Sequence, residues 1–254
     1  MRKLKVTLSY DGTDFLGWQQ QSKGRTIQGV VEAAFSAMHK KTVSVVASGR
    51  TDSGVHANGQ VITFESDLDH IPLYAYSKAL NSLLPPDVMV KKVEQVPLDF
   101  HPRFDATKRT YQYYLDCFSL ANPSHDRYSW RLSRTPQIQL LNRYASKLVG
   151  THDFTALSQP NEEIPNRVRT IYTSCFYPKA GFLVYEISGM SFLWKMVRSI
   201  IGTLLHYEQQ GLNPEAVTEL IVSKDRSLAG PTAPAKGLFL ERVDYPQKPQ
   251  RGGR

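Results

Sequence analysis

The chain has 254 residues, 41% of them hydrophobic, and a formal net charge of +8. That length and apolar share supply one large domain or two small ones with real cores, which excludes a disordered chain. Cys117 and Cys175 are alone and far apart, so neither a disulfide framework nor a zinc site is expected; no apolar run has signal-peptide or membrane-span length, so the expectation is a cytoplasmic protein with no membrane contact.

Residues 4–10 alternate like a strand and end at Asp11-Gly12, a turn signal. Thr26 caps a helix over 27–40, where Ile27, Val30, Val31, Ala34, Phe35 and Met38 keep the three-four spacing of one buried face. A β-branched strand over 42–47 and a second strand over 60–64 flank the loop Ser48-Gly49-Arg50-Thr51-Asp52-Ser53-Gly54-Val55-His56-Ala57. Pro72 opens a helix through residue 83 that Pro85-Pro86 stops, and 89–96 is the last strand of this half. The order is β-α-β-β-α-β, the split ferredoxin-like pattern.

The second half repeats that order. Residues 107–116 form a strand, and 121–135 a long polar and aromatic surface loop. A helix follows over 137–149, with Ile138, Leu141, Ala145 and Leu148 on one face and Gly150 past its end. Strands over 169–177 and 182–188 surround a turn at 178–181. A helix over 191–208 carries the stripe Leu193, Met196, Val197, Ile200, Ile201, Leu204 and Leu205. Asn213-Pro214 starts a short extra helix, and 237–243 is the closing strand. The expected fold is α+β: two ferredoxin-like halves with antiparallel sheets flanking a central catalytic cleft. The N-terminal half spans 1–104, the C-terminal half 105–245, and 246–254 is a disordered basic tail.

The positive surplus points to an anionic partner, nucleic acid first, although solubility charge would look the same. The chain also holds 13 Tyr, 11 Phe and 3 Trp. Aromatics beside Arg and Lys can stack on unpaired bases, while most of these belong in cores.

The 48–57 loop packs a carboxylate, a guanidinium, hydroxyls and two glycines between strands, where catalytic side chains are commonly held. A tight hairpin with solvated Asp and Arg would read the same way. There is no Gly-rich phosphate loop, no paired-His metalloprotease helix, no calcium loop and no Gly-x-Ser-x-Gly elbow. Asp52-Ser53-Gly54 is a single copy, and an aspartic protease needs two carboxylates sharing a proton.

The stretch 48–57 resembles the signature of the tRNA pseudouridine synthase A family, centred on Gly-Arg-Thr-Asp-x-Gly-Val-His. Four further segments are similar to that family in the same order. They are Ser9-Tyr10-Asp11-Gly12-Thr13-Asp14-Phe15-Leu16-Gly17-Trp18-Gln19, Lys108-Arg109-Thr110-Tyr111-Gln112-Tyr113, Met196-Val197-Arg198-Ser199-Ile200-Ile201-Gly202 and Ala235-Lys236-Gly237-Leu238. The resemblance implies a cofactor-independent isomerase with no metal. It implies two ferredoxin-like halves around a cleft, a homodimer, and conversion of uridine to pseudouridine at nucleotides 38, 39 and 40 of the tRNA anticodon stem-loop.

By the same resemblance, Asp52 is the catalytic carboxylate and nucleophile, Arg198 its ion-pair partner, and Arg50 the residue that helps flip the target base. Tyr111 packs on the uracil, and Leu238 joins it in substrate binding. A carboxylate in a closed pocket loses solvation, and a facing cation offsets that loss. At about 100° per residue, Arg198 sits roughly 115° from the centre of its helix's apolar stripe, on a flank that can face a cleft. His56 is expected to serve loop packing, and His152-Asp153 a local turn. A paired uridine must be everted to be reached, costing a few kcal/mol. The alternatives are a non-catalytic RNA-binding protein of two RRM-like halves, and a carboxylate hydrolase or nuclease.

Overall fold

The computed structural model describes residues 1–117, 122–160 and 165–246. Beyond Pro246 the expected tail lies outside the described residues, as does residue 121 of the expected loop.

In the first half, β1 (Arg2–Tyr10) buries Leu4, Val6, Leu8 and Tyr10 on one face, as period-two alternation requires. The helix α1 (Ile27–His39) is capped by Thr26, whose hydroxyl accepts from Gly29 N. It is followed by β2 (Val46–Ala47), β3 (His56–Ser66), α2 (Leu73–Leu83) and β4 (Val88–Val96). In the second half come β5 (Lys108–Asp116), α3 (Pro123–Asp126), β6 (Trp130–Arg131), α4 (Ile138–Ser146) and β7 (Gly150–Asp153). The chain closes with β8 (Val168–Lys179), β9 (Phe182–Gly189), α5 (Met196–Gln210), α6 (Glu215–Ser223) and β10 (Leu238–Asp244).

In each half the first strand lies between the last two: β1 between β4 and β3, and β5 between β10 and β9. The path β4-β1-β3, with β2 on β3, is followed by β10-β5-β9-β8, with β7 added at the edge. The two sheets are continuous. Phe239 and Leu240 of β10 pair in parallel with His56 and Ala57 of β3, giving one sheet with ten strands among the described residues. One core fills the first half and takes in Leu240 and Val243 from β10. The other fills the second half and takes in Val55. Tyr111 packs against both. No described helix is long and apolar enough to cross a membrane.

Several elements differ from the sequence pattern: β7 is an edge strand that was not expected, and β3 begins at His56 instead of residue 60. The strand expected over 42–47 shrinks to Val46–Ala47. Val43 and Val45 are buried as the alternation required, but their amides bond to α1 side chains instead of a ladder: Val43 N donates to Ser36 Oγ at 2.9 Å and Val45 N to Glu32 Oε1 at 3.0 Å. The helix expected from 191 begins at Met196, because Lys195 has φ 55°, outside helical space. Leu193 is buried all the same, from a turn. The expected loop over 121–135 contains α3 and β6, and it crosses to the other half. There Arg127 Nη2 lies 3.3 Å from Asp11 Oδ2 and 3.2 Å from Asp14 Oδ2, and Tyr128 OH donates to Asp11 Oδ2 at 2.8 Å.

Candidate active site

The loop between β2 and β3 is tied down along its length. Ser48 N donates to Val61 O at 2.8 Å, and Ser48 Oγ to Gln60 Oε1 at 2.7 Å. The Gln60 amide, fully buried, donates to Gly49 O at 2.9 Å. Tyr10 OH and Thr51 Oγ1 share a bond of 2.9 Å, and Trp18 N donates to Thr51 O at 3.0 Å. Past Asp52, Ser53 Oγ donates to Phe15 O at 3.1 Å. Buried polar groups satisfied in this way fix one conformation. The glycines act differently: Gly54 has φ +74°, a left-handed value that side chains resist, whereas Gly49 has open space around it and no such constraint.

Asp52 leaves this loop towards the first turn of α5. Arg198 Nη1 donates to Asp52 Oδ2 at 2.9 Å, joining residues 146 positions apart. The side chains are 15% exposed for Arg198 and 21% for Asp52, so water still reaches the pair. Arg198 is held from behind as well. Its Nε donates to Ala233 O at 2.8 Å, and Ala233 N donates to Arg198 O at 3.0 Å.

Tyr111 stands mid-strand on β5, opposite Leu240 of β10 and Ile187 of β9. It is half-buried, with its ring edge-on to Phe192 at 5.1 Å. Burial pushes its phenol up to about 12; the Arg109 charge lowers it and the Asp52 charge raises it further. Tyr111 is therefore a neutral phenol within the field of Asp52. Leu238 begins β10 opposite Tyr113 and is 5% exposed, packed in the second core. Arg50 is exposed, and no described residue holds its guanidinium by a hydrogen bond or ion pair. The structure thus brings Asp52, Arg198 and Tyr111 together, packs Leu238 into the second core opposite Tyr113, and leaves Arg50 exposed to solvent.

His56 opens β3, fully buried, and its Nδ1 accepts from Gly12 N at 3.0 Å. Its ring stacks on Phe239 at 4.5 Å, so the packing role holds. Burial pushes its pKa down, against the pull of Asp11. His152 Nε2 makes a local contact with Val149 O at 3.0 Å, as expected, but the residue sits in the edge strand β7 opposite Arg169 and not in a turn.

Arg109 was not singled out by sequence. It is 7% exposed, and its guanidinium donates to Ser48 O at 2.8 Å, Arg103 O at 2.8 Å and Met190 O at 2.5 Å. Burial pushes its pKa down. Arg109 ties the Asp52 loop, the 99–105 connection and the run leading into α5 to one strand. The available signal was its place two residues before Tyr111, on the same face of β5.

The family model described as tRNA pseudouridine synthase matches residues 7–105 and 144–246. The chain is 41% identical to tRNA pseudouridine synthase A of Treponema denticola, over 97% of this chain and 94% of that one. It is 42% identical to the Bacillus subtilis protein of the same name, over 96% of this chain and 99% of that one. The same protein of Anoxybacillus flavithermus is 41% identical, over 96% and 99% respectively. A carboxylate–guanidinium pair set beside a neutral tyrosine accompanies sequence matches that run through both halves: the chain belongs to the tRNA pseudouridine synthase family.

Proposed function

We propose that this chain isomerises uridine to pseudouridine at nucleotides 38, 39 and 40 of the tRNA anticodon stem-loop. It does so in the cytoplasm, as a homodimer and without a cofactor. Residues 1–104 and 105–245 are its two structural halves, with the reaction centre at their junction. The observation that carries this reading is the Asp52–Arg198 pair, one member from each half.

The isomerisation is internally balanced. The bond from the ribose C1′ to N1 of uracil breaks, a bond from C1′ to C5 forms, C5 gives up a proton and N1 gains one. No electron leaves or enters, so a positioned carboxylate and a proton path suffice. Asp52 acts on the everted nucleoside as nucleophile. Arg198 aims the carboxylate and faces it with a positive charge at 2.9 Å. Tyr111, held as a neutral phenol by burial, offers its ring to the uracil. A phenol of that kind is a poor base, so Tyr111 can accept a proton only while passing one on. Leu238 lends an apolar contact below the base.

The target must leave its stack before Asp52 can reach it. Arg50 has a free guanidinium and stands two residues from Asp52, which suits it to hold the space or the phosphate that eversion leaves. Trp194 is 50% exposed, with Lys195 Nζ at 4.8 Å from its ring centroid, a pairing suited to unpaired bases. The excess of cations supplies phosphate contacts that position the stem-loop without reading its sequence.

The test is incubation of the protein, and of Asp52→Asn, with an undermodified tRNA pool in plain buffer, followed by mapping of pseudouridine. The native protein is expected to modify nucleotides 38–40, and Asp52→Asn to lose turnover while its tRNA affinity stays within a few fold. Modification elsewhere refutes the assigned positions, and an active Asp52→Asn refutes the assigned nucleophile.

A further inference from the structure

Along β5, Arg109, Tyr111 and Tyr113 share one face at every second residue. The first braces the Asp52 loop and the second stands beside Asp52. The third is fully buried in the second core and does something separate. Its hydroxyl donates to Pro234 O at 2.8 Å. The carbonyl one residue earlier, Ala233 O, is the one that holds Arg198 Nε at 2.8 Å. We propose that Tyr113 is a positioning residue that presets Arg198 against Asp52 by fixing the 233–234 carbonyls; this rests on the assignment of Asp52 and Arg198 made above.

The segment carrying those carbonyls lies between α6 and β10 and has no strand ladder to hold it. Upstream it is fastened by Gly230 N to Thr203 Oγ1 at 3.1 Å and by Arg226 Nη2 to Thr232 Oγ1 at 3.1 Å. Pro234 has no N–H, so its carbonyl is its only backbone hydrogen-bonding group, and Tyr113 takes it. A guanidinium is a rigid planar fork. When Nε is pinned to Ala233 O, the direction of Nη1 follows, and that direction is what meets Asp52 Oδ2 at 2.9 Å. Displacing the carbonyl swings the fork. Burial raises the Tyr113 phenol well above its ordinary range, with the Arg198 charge pulling the other way, so the hydroxyl remains a donor at any working pH.

The same core contains a matched control. Tyr144 is equally buried, and its hydroxyl donates to Leu212 O at 2.5 Å, with Tyr207 O at 3.3 Å, both at the C-terminal end of α5 and away from Arg198 in its first turn. Tyr113→Phe and Tyr144→Phe each delete one buried hydroxyl from one core. Both are expected to lower the melting temperature by similar amounts. Tyr113→Phe alone is expected to lower kcat on a tRNA stem-loop roughly 10- to 100-fold, with KM within twofold, because a misplaced reacting group costs rate more than binding. Tyr144→Phe is expected to keep kcat within twofold. Pro234→Gly keeps that carbonyl but loosens the backbone that presents it, and is expected to cost about 3- to 30-fold in kcat at unchanged KM. The proposal is overturned if Tyr113→Phe keeps kcat within twofold or if both tyrosine variants lose it equally. If Tyr113→Phe does not fold, an unaffected Pro234→Gly overturns it. Full activity of Asp52→Asn would instead remove the foundation, whatever Tyr113 does.

Discussion

Arg198 makes two bonds with one group, so substitutions can separate its charge from its shape. Arg198→Ala removes both. The pair is 15% and 21% exposed, between a surface pair, worth about 0–1 kcal/mol, and a buried one, where losing a partner costs about 3–5 kcal/mol. An intermediate value of about 2–3 kcal/mol corresponds to a loss of roughly 30- to 150-fold in rate. Arg198→Lys keeps a point charge near Asp52 but cannot span Ala233 O and Asp52 Oδ2 with a planar fork. Losing one charge-assisted bond, about 1.5 kcal/mol, corresponds to about a tenfold drop. The assay is single-turnover pseudouridine formation with enzyme in excess, alongside the dissociation constant for the same stem-loop. The expected order is native, then lysine about tenfold slower, then alanine, with affinity within threefold throughout. An alanine variant within threefold of the native rate would refute the pairing as the source of catalysis.

Two further outcomes test the packing and the protonation states. A Cβ on Gly202 would lie 1.7 Å from Pro231 O, so Gly202→Ala must push α5 and the 231–233 segment apart. Overpacking of this kind costs about 1–3 kcal/mol, outweighing the ~1 kcal/mol that alanine gains in a helix. Because Ala233 moves with that segment, melting temperature and kcat should fall together; loss of stability with full kcat would uncouple them. Alkaline stability is the other outcome. Burial raises Tyr10, Tyr111, Tyr113 and Tyr185 above the ordinary 10.0. Their folded values are raised, so their contribution is whole below pH 10 and is lost as pH climbs through the folded values, at up to about 1.4 kcal/mol per unit for each. Burial also raises Cys117 and Cys175 above 9.0, so melting curves at pH 8 to 11 should begin to fall past 9 and steepen past 10; a level profile to 11 would contradict the burial of these phenols.

Much of this was legible in the residues because the signals are local. Of the α1 stripe, Ile27, Val31, Ala34 and Phe35 are buried as the spacing required, and Val30 and Met38 are half-buried against the same core. The alternation of β1 likewise chose its face. The Asp52–Arg198 contact rested on motif likeness, since nothing in the composition of either segment draws two residues 146 positions apart together. What stayed hidden is non-local. Whether Val43 and Val45 bond to a strand or to Ser36 and Glu32 depends on how α1 docks. The pairing of Phe239 with His56 joins strand edges from different halves, and no local pattern marks it. Arg109 reads as an ordinary strand cation until three carbonyls converge on it.

The join between β3 and β10 bears on how the molecule is made. The strand that joins the two halves is translated after every other described strand, and it delivers Leu240 and Val243 to a core whose other fully buried residues all lie within the first 106. Until then the nascent N-terminal half has a gap in its interior and an unzipped edge at His56 and Ala57, a surface on which chains can mispair. Truncation ahead of position 238 would therefore injure the half that is translated before the other.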